Sequence, residues 1–125
     1  MQLNRTTLLV DDLETAKAFY LDAFGFHCQL DEQRPGGKRL IVVSPSIMGP
    51  GFLLSEPKPG DASLVGQQSG QRVWAFIDTE DLSVDLARFH AQGVTITDGP
   101  RTEPFGICLL VKDLSGNTWE WVERH

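Results

Sequence analysis

Arg5-Thr-Thr-Leu-Leu-Val-Asp-Asp-Leu13, with a helix-like run from Glu14 to Phe24 and the stop Gly25-Phe26, decides the fold because the chain repeats it. The counterpart begins Val73-Trp-Ala-Phe-Ile-Asp78, continues through Leu82 to Gln92 and stops at Gly93-Val94. A second echo links Met48-Gly-Pro-Gly-Phe-Leu-Leu-Ser-Glu56 with Ser115-Gly-Asn-Thr-Trp-Glu-Trp-Val-Glu123. Each half therefore reads strand, helix, then several strands, and function is to be sought between two copies of one module.

Working outward, Leu3 to Val10 is rich in Thr, Leu and Val, as a strand requires, and Asp11-Asp12 can accept from the first N–H groups of a helix starting near Leu13. Leu13, Ala16, Phe19/Tyr20, Ala23 and Phe24 recur at helical spacing, and Gly25 ends the helix. Phe26 to Leu30, Lys38 to Ser44 and Phe52 to Ser55 are the following strands, with a turn at Pro35-Gly-Gly37. In the second half Arg72 to Ile77 is a strand, Asp81 or Ser83 caps a helix with apolar positions Leu82, Leu86 and Phe89, and Gly93 ends it. Strands at Val94 to Thr97, Ile107 to Val111 and Thr118 to Val122 follow, with a loop at Pro100 to Gly106 and a turn at Asp113 to Asn117. The pattern is β-α-β-β-β, twice: a first module at about 1–56, a linker at about 57–70 and a second module at about 71–125.

A chain of 125 residues can bury one domain-sized core or two small modules sharing an interface. Its formal net charge of -6 provides no basic stripe to neutralise phosphates, which argues against nucleic acid or an anionic membrane as partner. A small organic ligand or another protein fits better. No run approaches the roughly 20 apolar residues that span a bilayer, and Met1-Gln-Leu-Asn-Arg5 lacks the order of a signal peptide, so a cytoplasmic location is expected. Cys28 and Cys108 lie in strand-like runs at unmatched places in the repeat and are expected to be buried free thiols.

The order and spacing of several short motifs resemble the vicinal oxygen chelate superfamily, which includes glyoxalase I, bleomycin-resistance proteins and extradiol dioxygenases. They are Leu9-Val-Asp-Asp-Leu13, Ala18-Phe19-Tyr20, Phe24-Gly25-Phe26, Phe76 with Asp78, Gly93-Val94, Pro104-Phe105-Gly106, and Asp113-Leu-Ser-Gly-Asn117 before Glu120. The resemblance covers essentially the whole chain. It implies an α+β fold in which two βαβββ modules form a curved, barrel-like groove with the helices outside and the ligand within.

In metal-dependent members the resemblance further implies four inward ligands, one from the first and one from the last strand of each module. Those positions fall on Arg5, Leu53, Val73 and Glu120. A guanidinium has no free lone pair, valine and leucine have no donor, and one carboxylate cannot replace the several N/O ligands of a zinc, iron or manganese site. His27, His90 and His125 have no metal-ligand spacing among themselves. No metal or other cofactor is therefore expected.

If the implied groove brings Arg5 and Glu120 together, they are expected to form a salt bridge where the ion would be, since a guanidinium can engage a carboxylate through parallel N–H bonds. The alternative leaves Arg5 at a fraying terminus and Glu120 solvated. Strict alternation sends Val73, Ala75 and Ile77 inward with Glu120, and Trp74, Phe76, Trp119 and Trp121 toward the helix. The expected floor is then Thr7, Leu9, Leu53, Val73 and Ala75 around one ion pair, suited to a flat organic molecule with a polar handle. Phe105 either forms the groove's lip or covers the core edge. Trp119 and Trp121 read as core rather than as a drug-stacking clamp.

The expected protein is thus a metal-independent binder of a small organic ligand, through Arg5, Thr7, Leu53, Val73, Ala75, Phe105 and Glu120, and a homodimer. One rival is a metal-dependent lyase, isomerase or dioxygenase of the same superfamily. Another is a metal-free acid–base enzyme using Glu120, disfavoured because a neighbouring guanidinium weakens a carboxylate as a base.

Overall fold

The structure is a computed structural model describing residues Met1–His125. Two compact units, Met1–Ala62 and Ser63–His125, each contain a four-stranded sheet and one helix. In the first, β1 (Arg5–Leu9), α1 (Leu13–Asp22), β2 (His27–Gln33), β3 (Arg39–Ser44) and β4 (Gly51–Ser55) give the sheet order β1-β4-β3-β2. In the second, β5 (Val73–Asp78), α2 (Leu82–Gln92), β6 (Ile96–Glu103), β7 (Gly106–Lys112) and β8 (Thr118–Arg124) repeat it as β5-β8-β7-β6. The first strand of each unit pairs in parallel with its last, and the other pairs are antiparallel.

The second sequence echo has a structural meaning at the helix starts. Asp12 caps α1 by accepting from Thr15 N at 2.9 Å, while Glu56 Oε2, just beyond β4, accepts from Leu13 N at 3.1 Å. Asp81 caps α2 by accepting from Ser83 N at 3.1 Å, while Glu123 Oε1 on β8 accepts from Leu82 N at 2.9 Å. Two carboxylates thus meet the unpaired N–H groups and positive dipole end of each helix. At the other end of α2, Gly93 adopts φ 70°, a left-handed conformation that costs a glycine little.

Each sheet buries one face under its helix. In the first unit Leu8, Leu54 and Ile41 lie side by side across β1, β4 and β3 and are fully or almost fully buried. Tyr20 and Phe24 pack edge-to-face, and Phe26 stacks on Phe52. In the second unit Trp119, Trp121, Leu109 and Val111 are buried, and Phe89 of α2 meets Trp121 edge-to-face at 5.1 Å. The two β8 tryptophans are core, as their spacing predicts.

Three local expectations need correction. The segment expected as a loop from Pro100 is strand as far as Glu103, because β6 continues its pairing with β7 through Arg101, Thr102 and Glu103. Cys28 is exposed, with its thiol 3.4 Å from Leu30 O beside a bulge in β2, whereas Cys108 is buried; both are free. The connection between the units, expected to lack helix, contains one 3-10 turn at Ala62–Leu64.

Candidate functional site

The chemistry-bearing residues collect on the helix-free face of each sheet, and β8 supplies the clearest case. Alternation with the buried Trp119 and Trp121 turns Glu120 to the other face, where it is half-buried. That orientation is fixed by the turn before β8. Asp113, 6% exposed, accepts through Oδ1 from Ser115 N at 3.0 Å and from Gly116 N and Asn117 N at 2.9 Å each. Its Oδ2 accepts from Asn117 Nδ2 at 2.9 Å and Trp119 Nε1 at 2.8 Å. A turn and a core indole are held by one carboxylate, and the residue after that indole is Glu120.

Across from β8, strand β5 departs from regular alternation. Val73 stands opposite Thr118, but Ala75 stands opposite Trp119 and Phe76 opposite Glu120, so Trp74 is an extra residue in a bulge. Neighbours in register share a face. Phe76 therefore lies with Glu120, while Ala75 and Ile77 lie with Trp119 and Trp121 on the helix side. The expectation that Ala75 faces inward and Phe76 faces the helix is reversed, because the bulge shifts every residue after it by one. Counting back from Phe76 also places Trp74 on the Glu120 face. The sequence held a signal for this: Trp74 precedes the helix cap Asp81 by the same interval that separates Arg5 from Asp12, so Trp74 rather than Val73 is the repeat counterpart of Arg5.

The remaining strands add charge to this face. Leu110 stands opposite Glu120, and Lys112 Nζ donates to Thr118 Oγ1 at 2.7 Å. Arg101, opposite Cys108, donates from Nε to Glu103 Oε1 at 2.8 Å and from Nη1 to Asp98. Its guanidinium is held above its ordinary range, chiefly by the Glu103 bond and further by attraction to the Glu103 and Glu120 carboxylates. Arg101 and Lys112 are cations of this face that strand assignment from sequence leaves out, because β6 was expected to stop before Arg101 and β7 to end at Val111.

In the first unit Arg5, Thr7 and Leu53 occupy the helix-free face, with Arg5 opposite Gly51 and Thr7 opposite Leu53. Arg5 is exposed and its Nε donates to Asn4 Oδ1 at 2.8 Å. Gly51 is buried: a Cβ there would come within 2.6 Å of Val42 Cγ1 and 2.8 Å of Gln29 Oε1. Gln29 is itself fixed by donating from Nε2 to the carbonyls of Ser46, Ile47 and Gly49. Phe105 sits in the turn between β6 and β7, 47% exposed, and its carbonyl accepts from His125 N.

Two cavities flank these faces without coinciding with the acid. One of about 340 Å³ lies on the helix side of the second unit, among Leu82, Leu86, Pro100 and Ile107. Another of about 400 Å³ lies in the first unit, where Leu40, Leu53, Lys38 and Lys58 contribute walls. As to a divalent metal, Arg5 and Leu53 in the first unit offer no ligand, and the second offers Glu120 alone beside Trp74 and Val73. No three His, Cys, Asp or Glu side chains cluster in a way that could hold one. These residues do not fit the metal that the resemblance implies for other members. No helix is long and apolar enough to cross a membrane.

Comparison with known proteins agrees with this architecture. Residues 2–121 match the model of the Glyoxalase/Bleomycin resistance protein/Dioxygenase superfamily. An uncharacterised protein of Shewanella frigidimarina is 32% identical over 119 residues, covering 93% of this chain and 88% of the relative. Among solved structures, TnmS3, an antibiotic binding protein from Streptomyces sp. CB03234, superposes with a TM-score of 0.80 at 26% identity, covering 100% of this chain and 97% of its own. A glyoxalase/bleomycin resistance protein from the same organism gives 0.76 at 26% identity, covering 98% and 100%.

Proposed function

Because this chain belongs to the glyoxalase/bleomycin resistance protein/dioxygenase superfamily, we propose that it is a metal-independent binding protein for a small organic molecule, with the helix-free sheet faces as the binding surface. The observation that carries this reading is the composition of the Glu120 face. Glu120 stands among Phe76, Leu110 and Trp74 on a face that also carries Asp98, Arg101 and Lys112, an aromatic and aliphatic surface with polar groups to fix orientation. The description of TnmS3 as an antibiotic binding protein supports the same class of ligand. Arg5, Thr7, Leu53, Val73 and Glu120 contribute polar and apolar contacts, and Phe105 an exposed aromatic. Arg5 in the first unit and Glu120 in the second each offer a charged group where other members carry metal ligands. The working protein is a cytoplasmic homodimer.

The test is a thermal-shift screen of small organic molecules against protein dialysed with a chelator, followed by calorimetry on the hits. Tight binding that is unchanged by the chelator is expected, because no step needs an ion. Loss of binding on chelation, restored by Zn, Ni, Fe or Mn together with a gain in stability, would overturn the metal-independent reading in favour of the metal-dependent one. Arg5→Ala and Glu120→Ala are made singly and together; unchanged ligand affinity in all three variants removes these charges from the reading. A monomer at micromolar concentration in sedimentation removes the dimer.

A further inference from the structure

The indole N–H of Trp74 is buried from solvent and has no hydrogen-bond partner in the protein. Such groups are rare in folded chains, since a buried donor that gives up water without gaining an acceptor costs free energy. The chain satisfies an equivalent group elsewhere: Trp119 Nε1 donates to Asp113 at 2.8 Å. Trp74 is also the extra residue of the β5 bulge, and bulges re-aim side chains beside functional sites. Without that bulge Trp74 would lie on the helix side, where the other two tryptophans are.

Two neighbours indicate what an acceptor for this N–H would belong to. Phe76, on the same strand face, is 65% exposed, a large aromatic surface without cover. Glu120 stands opposite it in register. A donor, an aromatic plane and an acid follow one another within a few ångströms of sheet, given the usual residue rise and strand spacing of about 3.3 and 4.8 Å.

We propose that Trp74 donates its indole hydrogen bond to an acceptor atom, of the carbonyl type, on a planar aromatic ligand that lies against Phe76 on the Glu120 face of the second unit. This deepens the small-molecule reading above and rests on it. It assigns the ligand a class, aromatic and acceptor-bearing, and gives Trp74 a role in recognising it. Aromatic contact supplies affinity through burial, and the unpaired donor supplies discrimination, because a site built to donate penalises a ligand that cannot accept.

The experiment uses 9-fluorenone and fluorene, two flat molecules of the same framework that differ in the carbonyl oxygen. With uniformly 15N-labelled full-length protein, the indole Nε1–H signal of Trp74 is assigned by sequential and side-chain NMR experiments and checked by its loss in Trp74→Phe. Fluorenone should move that signal downfield and bind about fivefold more tightly than fluorene, the size of one neutral hydrogen bond. In Trp74→Phe the two compounds should bind equally. Movement of other signals while Trp74 stays fixed, or equal affinities in the wild-type protein, overturns the role of Trp74 and leaves the small-molecule reading standing. No response to either compound overturns the planar aromatic class, while the broader reading stands or falls by its own screen. The wild-type spectra decide the matter even if Trp74→Phe does not fold.

Discussion

Replacing Asp113 by Asn should destabilise the protein by about 3–5 kcal/mol, although the two side chains have the same shape. The carboxylate accepts five hydrogen bonds and donates none: three from backbone N–H groups to Oδ1 and two from Asn117 and Trp119 to Oδ2. An amide must present its NH2 to one of these two sets. In the less damaging orientation it faces the Asn117 and Trp119 donors, so two bonds to a charged acceptor are lost, each about 1.5–3 kcal/mol. Both donors also stay buried, for Asn117 is 3% and Trp119 0% exposed. The assay is urea unfolding followed by tryptophan fluorescence and near-ultraviolet circular dichroism. At a slope of about 1–3 kcal/mol per molar urea the midpoint should fall by at least about 1 M. In a Trp119→Phe background the same change should cost about 1–2 kcal/mol less, since one stranded donor is gone. An Asp113→Asn protein within 1 kcal/mol of wild type would refute the reasoning and leave the orientation of Glu120 without its proposed anchor.

Three further outcomes are expected. Glu56→Ala and Glu123→Ala should each lower stability by about 1–2 kcal/mol in chemical denaturation, because each leaves a first-turn helix N–H without its acceptor; equality with wild type would remove the shared capping role. Gly51→Ala should cost about 1–3 kcal/mol through its close approach to Val42 and Gln29, read as a lowered melting temperature. Asp31 is held well below the usual carboxylate range, first by its bonds from Arg39 and then by Lys17, 2.7 Å away. A depressed carboxylate stabilises the fold fully above its unfolded value of about 3.9, and that contribution disappears as pH falls through the lower folded value. Wild type should therefore exceed Asp31→Asn in stability near neutrality, with the gap closing below about pH 4; a gap independent of pH would show that the carboxylate's charge is not what matters.

Much of the fold is legible in the sequence because the signals are local. The apolar spacing of α1 and α2, the caps Asp12 and Asp81, the stop at Gly93 and the turn from Asp113 to Asn117 depend on residues within a few positions of one another. The repeat adds order, since Glu56 and Glu123 close matching echoes and meet matching helix starts. The presence of Arg5 and Glu120, and the scarcity of metal ligands at the matched positions, are likewise matters of residue identity.

The directions of the side chains on β5 are not local. Strict alternation is correct for β8, whose tryptophans are buried on one side, but fails on β5 after Val73. A single extra residue there preserves composition and periodicity almost unchanged while exchanging Ala75 for Phe76 on the Glu120 face. The extension of β6 to Glu103, which brings Arg101 into play, and the exposure of Cys28 beside the β2 bulge have the same origin. What the chain determined alone was the kind and order of its elements, because caps, turns and periodicity act over a few residues. Which groups share a face was decided only by tertiary structure, because register is a property of two strands pairing and no single strand contains it.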